Sequence, residues 1–330
     1  MFKKQVSFLI ACAMVTQLNA QKLAFNAEGT FKIVQFTDMH YIHGNPLSDT
    51  TLLLLHRVLE AEKPDLAIFT GDVVTGPVQA GWDAVTAPLT ERNIPFAVTL
   101  GNHDHEQGVT RSEIAQIVSG YPLNVNSMSV TIGDRVLNNA IPVYEATHSL
   151  KEAALIYCFD SGAYATIEGV GGYGWITDGQ IDWYRQESLR HTIQNNFSPL
   201  PALAFFHIPL PEYRTAFNGD RWVRHGERKE DECAPELNSG MFLAMREMGD
   251  VMGTFTGHDH LNNYIVDYHE IALAYGSFSG WKTTYTPALN GARVLVLNKG
   301  KREFDTWLHL LDGTILFHNT YPTDFRQEQQ

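Results

Sequence analysis

Five times in this chain of 330 residues a short apolar, β-rich run stops at a glycine or polar residue and is followed at once by side chains able to hold a cation. Residues 31–37 run into Asp38-Met39-His40, and residues 66–70 into Gly71-Asp72. Residues 95–100 meet Gly101-Asn102-His103-Asp104, residues 203–206 meet His207-Ile208-Pro209, and residues 251–256 meet Gly257-His258-Asp259-His260. Near-continuous apolar runs of this length suit strands covered on both faces. Ligands of open α/β sheets bind in the crevice beyond the carboxyl ends of strands, so five such ends predict one convergent site.

Between these runs the pattern turns helical. Leu52, Leu55 and Leu59 recur at helical spacing across 50–63, which stops before Pro64, and Ile114, Ile117 and Val118 share a face across 112–118. Thr177 followed by Gln180 predicts a capping-box start to a helix reaching about Arg190. Strand and helix in alternation predict an α/β sandwich. The last third holds strand-like pieces at 263–276, 292–298, 304–310 and 314–321, joined by turns such as Asn290-Gly291, Lys299-Gly300 and Asp312-Gly313. They predict a C-terminal antiparallel meander. With 44% apolar residues there is ample material for a core, and no linker or repeat interrupts the chain, so a single domain is expected over residues 21–330.

The strand-end residues have the composition of a metal site. In an extended segment residues i and i+2 point the same way, so Asp38 and His40 can share a cavity while Met39 faces packing, and His258 and His260 do likewise around Asp259. Imidazole, carboxylate and amide oxygen together suit Zn, Mn or Fe. Asp38, His40, Asp72, Asn102, His207, His258 and His260 are more candidate ligands than one tetrahedral ion takes, so two metal ions are expected. A carboxylate bridging ions about 3.5–4 Å apart is the usual device of two-metal hydrolysis. Asp72 sits between the groups it would link, and the glycines beside the ligands let the backbone turn sharply where a strand stops.

That ordered set, Asp-x-His, Gly-Asp, Gly-Asn-His-Asp, His and Gly-His-x-His, resembles the calcineurin-like metallophosphoesterase superfamily, from Lys32 to about Val296. The stretches 206–213, 236–240 and 255–260 are further similar to the group containing the yeast phosphatase Dcr2 and plant proteins named purple acid phosphatase 29-like. The resemblance implies an α/β/β/α sandwich with mixed sheets. It implies one metal held by Asp38, His40, Asp72 and His260, and a second held by Asp72, Asn102, His207 and His258. It also implies that His103 neutralises the phosphate and protonates the leaving oxygen, with Asp104 orienting it. Thr75 stands where purple phosphatases carry a tyrosine, and His40 stands where they lack a histidine, so an ordinary, uncoloured two-metal site is expected. The implied activity is hydrolysis of a small phosphate ester by in-line attack of water activated on the metals. A phosphomonoester is the first candidate; a phosphodiesterase and a catalytically silent metal-binding scaffold are the alternatives.

The remaining features bear on compartment and partners. Lys3 and Lys4, an apolar stretch over 6–15 and a small residue at Ala20 read as a secretory signal over 1–20. An exported protein, periplasmic or secreted, follows; a lipoprotein box ending at Cys12 is the lesser alternative. No later stretch has the ~20 apolar residues of a membrane helix. A formal charge of −13 argues against long nucleic acid, whose non-specific affinity comes from Lys and Arg. Beyond the signal only Cys158 and Cys233 remain, as a disulfide or as two thiols. The glycine-rich stretch 169–174 lacks the Lys-Ser/Thr ending of a phosphate loop and reads as an irregular turn. Arg214, Arg221, Arg224, Arg228 and Lys229 read as a solvated face, with one of them reaching a substrate phosphate as the lesser alternative, and Tyr264, Trp281 and Tyr285 read as packing residues, with stacking on a nucleoside as theirs.

Overall fold

The computed structural model describes residues 22–285 and 289–326; the expected leader and the Cys12 lipid box lie outside the described residues. In chain order the strands are β1 (Thr30–Phe36), β2 (Leu66–Thr70), β3 (Phe96–Thr99), β4 (Val130–Ile132), β5 (Arg135–Tyr144), β6 (Glu152–Cys158) and β7 (Ala202–Phe205). They continue with β8 (Arg224–His225), β9 (Val251–Thr256), β10 (Ile265–Tyr268), β11 (Ile271–Tyr275), β12 (Gly291–Asn298), β13 (Phe304–Leu310) and β14 (Ile315–Tyr321). The α-helices are α1 (Asp49–Glu62), α2 (Val78–Arg92), α3 (Arg111–Ser119), α4 (Asp178–Gln194), α5 (Glu212–Asn218) and α6 (Met241–Met248).

Two mixed sheets result. One runs β14-β13-β12-β1-β2-β3, parallel from β1 to β3 and antiparallel from β1 outward through β12 to β14. The other runs β4-β5-β6-β7-β9-β11-β10-β8, with β6, β7, β9 and β11 parallel. The apolar runs are continuous because both faces of the central strands are covered. Along β1, Val34 and Phe36 enter a core against α1, α2 and α3, while Phe31 and Ile33 enter the core between the sheets with Phe205 and Phe255. A third core packs Ile181, Tyr184, Tyr213 and Met245 of α4, α5 and α6 on the outer face of the second sheet. The layers are helix, sheet, sheet, helix.

Local signals explain most of the elements. Thr177 and Gln180 form the expected reciprocal capping box, and Thr110 with Glu113 forms another at α3. One reading needs correction, and one helix carried no signal. The segment 263–276 is not part of the terminal meander: it is the β10–β11 hairpin of the second sheet, with β11 parallel to β9. Helix α2 carries no clear periodic signal, because Gly81 and Pro88 interrupt it and Pro77 occupies its cap; tertiary burial of Trp82, Val85 and Leu89 overrides that weak propensity. Cys158 is buried between the sheets and Cys233 is exposed, and both are free thiols.

The sandwich is cross-linked where the site forms. The Gln35 amide donates to the Thr256 carbonyl at 3.0 Å, and the His207 Nδ1–H donates to the Thr70 carbonyl at 2.8 Å, so the ends of β1 and β2 are tied to those of β9 and β7. Phe205 stacks on Phe255 with ring centroids 5.2 Å apart directly behind this seam. Phe205→Ala should destabilise the protein by about 3–5 kcal/mol. Urea unfolding monitored by fluorescence measures the change; a loss within error would show that the inter-sheet core does not hold the seam.

Candidate active site

Each candidate ligand follows a strand end, and four of the seven do so in left-handed backbone: Asp38 (φ 54°), His40 (φ 42°), Asp72 (φ 50°) and His258 (φ 77°). Non-glycine residues rarely adopt this region. The extended geometry expected for Asp38-Met39-His40 is therefore interrupted by left-handed backbone at both ligands. Its consequence is the anticipated one, since Met39 is fully buried in the helix-side core while Asp38 and His40 face the cavity. Gly71 has φ 86°, and a Cβ there would also lie 2.4 Å from His207 Nδ1. At Gly257 the need is room, because a Cβ would meet Asp38 Oδ2 at 2.4 Å.

The side chains fall into two buried groups: Asp38, His40 and His260, and Asp72, His207 and His258. In the first, His40 Nε2 and His260 Nε2 are 3.2 Å apart, and His260 Nε2 is 3.4 Å from Asp38 Oδ1. In the second, His207 Nε2 lies 3.2 Å from Asp72 Oδ2, 3.3 Å from His258 Nδ1 and 3.1 Å from Asn102 Oδ1. Ligands about 2.0–2.1 Å from a tetrahedral ion are roughly 3.3 Å from one another, so both groups have the donor types and spacings of a cation site. Asp72 Oδ2 is also 3.8 Å from His40 Nε2, which puts one oxygen against both groups. The carbonyl of Thr70 takes the Nδ1–H of His207, turning Nε2 toward the centre, as the outer partner of a metal-binding imidazole does.

The electrostatics point the same way. Burial alone would raise Asp38, but His207 and His260 hold it at about 2, and Asp72 is held well below its usual value against the same burial penalty by His207 and His40. Burial would lower His207, yet Asp72 and Asp38 push it up to about 10. At His40 and His258 burial dominates and lowers them to about 4 and about 3. The two carboxylates are thus balanced by positive charge at His207.

His103 lies at the mouth, its side chain 39% exposed and its ring 5.6 Å from that of His40. Its backbone N–H donates to Asp72 Oδ1 at 2.7 Å. Asp104 does not orient its ring. The Asp104 carboxylate is buried and accepts the backbone N–H groups of Gly101, Asp72, Val73 and Val74 at 2.7, 2.9, 2.8 and 3.3 Å, so it shapes the turn that carries Asp72. The partner of His103 is Glu106, whose Oε2 is 2.7 Å from Nδ1. Its spacing of three residues was the available signal.

Sequence reasoning missed Tyr164 and Tyr173 as aromatic walls and read Tyr285, the third, as packing. Tyr173, delivered by the glycine-rich turn, meets His258 edge-on at 4.2 Å, and Tyr285 stacks on His260 at 4.2 Å. Tyr164 packs on Tyr173 and its hydroxyl accepts from Asn102 Nδ2 at 3.4 Å. Arg214, Arg228 and Lys229 are paired with Glu232, Asp231 and Glu227. Tyr264 is buried, as expected of a packing residue.

Buried carboxylates and imidazoles gathered at strand ends of a four-layer sandwich make up a candidate metal centre. The chain belongs to the calcineurin-like phosphoesterase family, which it matches over residues 31–262. It is 32% identical to the probable inactive purple acid phosphatase 29 of Arabidopsis thaliana, over 94% of this chain and 93% of that protein. It is 31% identical to the phosphatase DCR2 of Saccharomyces cerevisiae, over 88% of this chain and 55% of that protein. The fold is similar to that of a dimetal phosphatase from Danio rerio, with a TM-score of 0.58 at 13% identity, covering 88% of this chain and 98% of that one. Among the described residues no helix is long and apolar enough to cross a membrane.

A cation binding at His207 must displace its proton. Across the window between about 4, where His40 titrates, and about 10, where His207 does, affinity should rise roughly tenfold per pH unit. Calorimetric titration with Mn²⁺ in buffers of different ionisation enthalpy counts the released proton; an affinity independent of pH would contradict the assignment.

Proposed function

We propose that this chain is an exported phosphomonoesterase that works with two cations, one held by Asp38, His40, Asp72 and His260 and the other by Asp72, Asn102, His207 and His258. The observation that carries the reading is the position of Asp72 Oδ2, 3.2 Å from His207 Nε2 and 3.8 Å from His40 Nε2, where a single carboxylate oxygen can serve both groups. When bound, such ions lower the pKa of water toward neutrality and withdraw charge from phosphoryl oxygens. The site's own residues do the rest. Glu106 takes the Nδ1–H of His103, which leaves Nε2 as the nitrogen that can present a proton to the departing oxygen. Asp72 fixes the backbone of His103 through its other oxygen, so the proton donor and the shared ligand move as one unit. Two divalent cations set against the Asp38 and Asp72 carboxylates leave two positive charges, which match the double charge of a monoester better than the single charge of a diester.

The name of the yeast relative, a phosphatase, supports the reaction class. Several plant relatives are named as probably inactive, and the ground for activity here is this chain's own complete donor set. The proposed export signal is checked by sequencing the N-terminus of protein recovered outside the cytoplasm, which should begin at Gln21.

Release of the aryl alcohol from an aryl monoester, compared with the bis-aryl diester, with Mn²⁺, Fe²⁺ or Zn²⁺ added, tests the reaction. Preference for the diester would replace the monoester reading, and bound metal without turnover on either would leave a binding scaffold. His103→Ala should retain both ions and lose roughly 10²–10⁴-fold in kcat; an unchanged rate removes His103 from the mechanism. Asp72→Ala should lose both ions by elemental analysis, and retention of a full pair refutes the bridging role.

A further inference from the structure

Beside the two groups lies a third set of donors that the proposed chemistry does not use. Cys233 Sγ, a carboxylate oxygen of Asp259 and a ring nitrogen of His258 lie within 4.8 Å of one another, with the thiol exposed and the other two side chains buried. The thiol is held in place by its backbone: Cys233 N–H donates to Asp259 Oδ1 and Oδ2 at 3.1 and 3.2 Å. The preceding residue, Glu232, is 1% exposed and is locked by Arg228 and by the Tyr264 hydroxyl, each at 2.8 Å. Across the cluster Asp259 accepts the Tyr275 hydroxyl at 2.5 Å, and the Asp231 carbonyl oxygen lies 3.7 Å from Sγ.

His258 supplies the second observation. Its Nδ1 faces His207 inside the second group, while its Nε2 is buried with no hydrogen-bond partner among the described residues, although His258 as a whole is only 9% exposed. Buried ring nitrogens normally find a partner. A thiol, a carboxylate and an imidazole within one ion's reach, open to solvent on the thiol side, supply that partner in the form of a soft cation.

We propose that Cys233, Asp259 and His258 form a third cation site, for a thiophilic divalent ion such as Zn²⁺ or Cd²⁺, and that an ion there inhibits the neighbouring centre by drawing on the same imidazole. On binding, the S–H bond and the His258 Nε2–H bond break, both protons leave to solvent, and the freed sulfur and nitrogen lone pairs bond the ion while Nδ1 stays with the second group; no electron is transferred. Hard ions such as Mg²⁺ gain nothing from the sulfur, so the site discriminates by softness. Occupancy stands on this cluster alone, whereas the inhibition rests on the two-cation reading above.

The test titrates the full chain, Cys233→Ala and Cys233→Ser with Co²⁺, whose bond to thiolate gives a ligand-to-metal charge-transfer band. The native chain should take up one more equivalent than either variant, and only the native chain should show the sulfur band. Serine keeps a donor beside Asp259, so agreement of the two variants assigns the loss to the sulfur. Zn²⁺ should also protect Cys233 from alkylation, read by peptide mass spectrometry. Excess Zn²⁺ should slow native phosphate release at least tenfold and leave the variants' basal rate unaffected. Equal stoichiometry in all three proteins with no sulfur band overturns the third site and leaves the paired centre standing. A sulfur band on a chain that releases no phosphate upholds the site and removes the phosphomonoesterase reading instead.

Discussion

Asp38 and Asp72 are buried carboxylates that remain ionised, and the architecture around them follows from the need to compensate that charge. Removing an isolated carboxylate from water is costly unless charge and hydrogen bonds replace the solvent. Here His207 lies 3.2 Å from Asp72 and His260 3.4 Å from Asp38, and backbone N–H groups take up further lone pairs. No single segment carries all these groups. They come from the ends of β1, β2, β3, β7 and β9, so the site exists only when the two sheets are packed and in register. The links from Gln35 to Thr256 and from His207 to Thr70 make the fold's seam and the site's frame the same structure.

The cost of converging these side chains appears in the backbone. Four candidate ligands occupy the left-handed region, at a cost of about 1–3 kcal/mol each, which only a well-determined surrounding sustains. That surrounding is visible at Asp72, whose turn is fixed by the carboxylate of Asp104 through N–H groups on both sides of it. Asp104 thereby acts two steps away from any chemistry. Its neighbour His103 stands at the mouth with Glu106, so adjacent residues in one loop serve the frame and the solvent-facing edge respectively.

The strands that end at the site were legible because burial on both faces leaves an unbroken apolar run, and β2 and β9 fall on their expected limits. The ligand candidates were legible because they follow those ends directly. What was not legible depended on contacts between distant segments. Helix α2 is held by burial against weak local propensity, and the assignment of 263–276 to the second sheet is decided by pairing with β9. The aspartate of Gly101-Asn102-His103-Asp104 could not be distinguished from a ring-orienting group until its four backbone partners were in place. Tyr164, Tyr173 and Tyr285 carry no spacing signal, since an aromatic residue in a loop reads the same whether it packs or lines a site.

Those tyrosines settle how the two histidines of Gly-His-Asp-His are held. His260 is covered by the parallel face of Tyr285, with an interplanar angle of 12°, and the same tyrosine's hydroxyl accepts the His260 backbone N–H at 3.2 Å. His258 is met by the edge of Tyr173. A ring clamped on one face loses rotational freedom before any ligand arrives, which lowers the entropic cost of binding there. The clamps also withhold water from the two imidazoles, consistent with the dominance of burial at His258. His103, by contrast, keeps solvent contact. The difference divides the cluster physically into a clamped, dry interior suited to holding charge in place and one imidazole open to solvent.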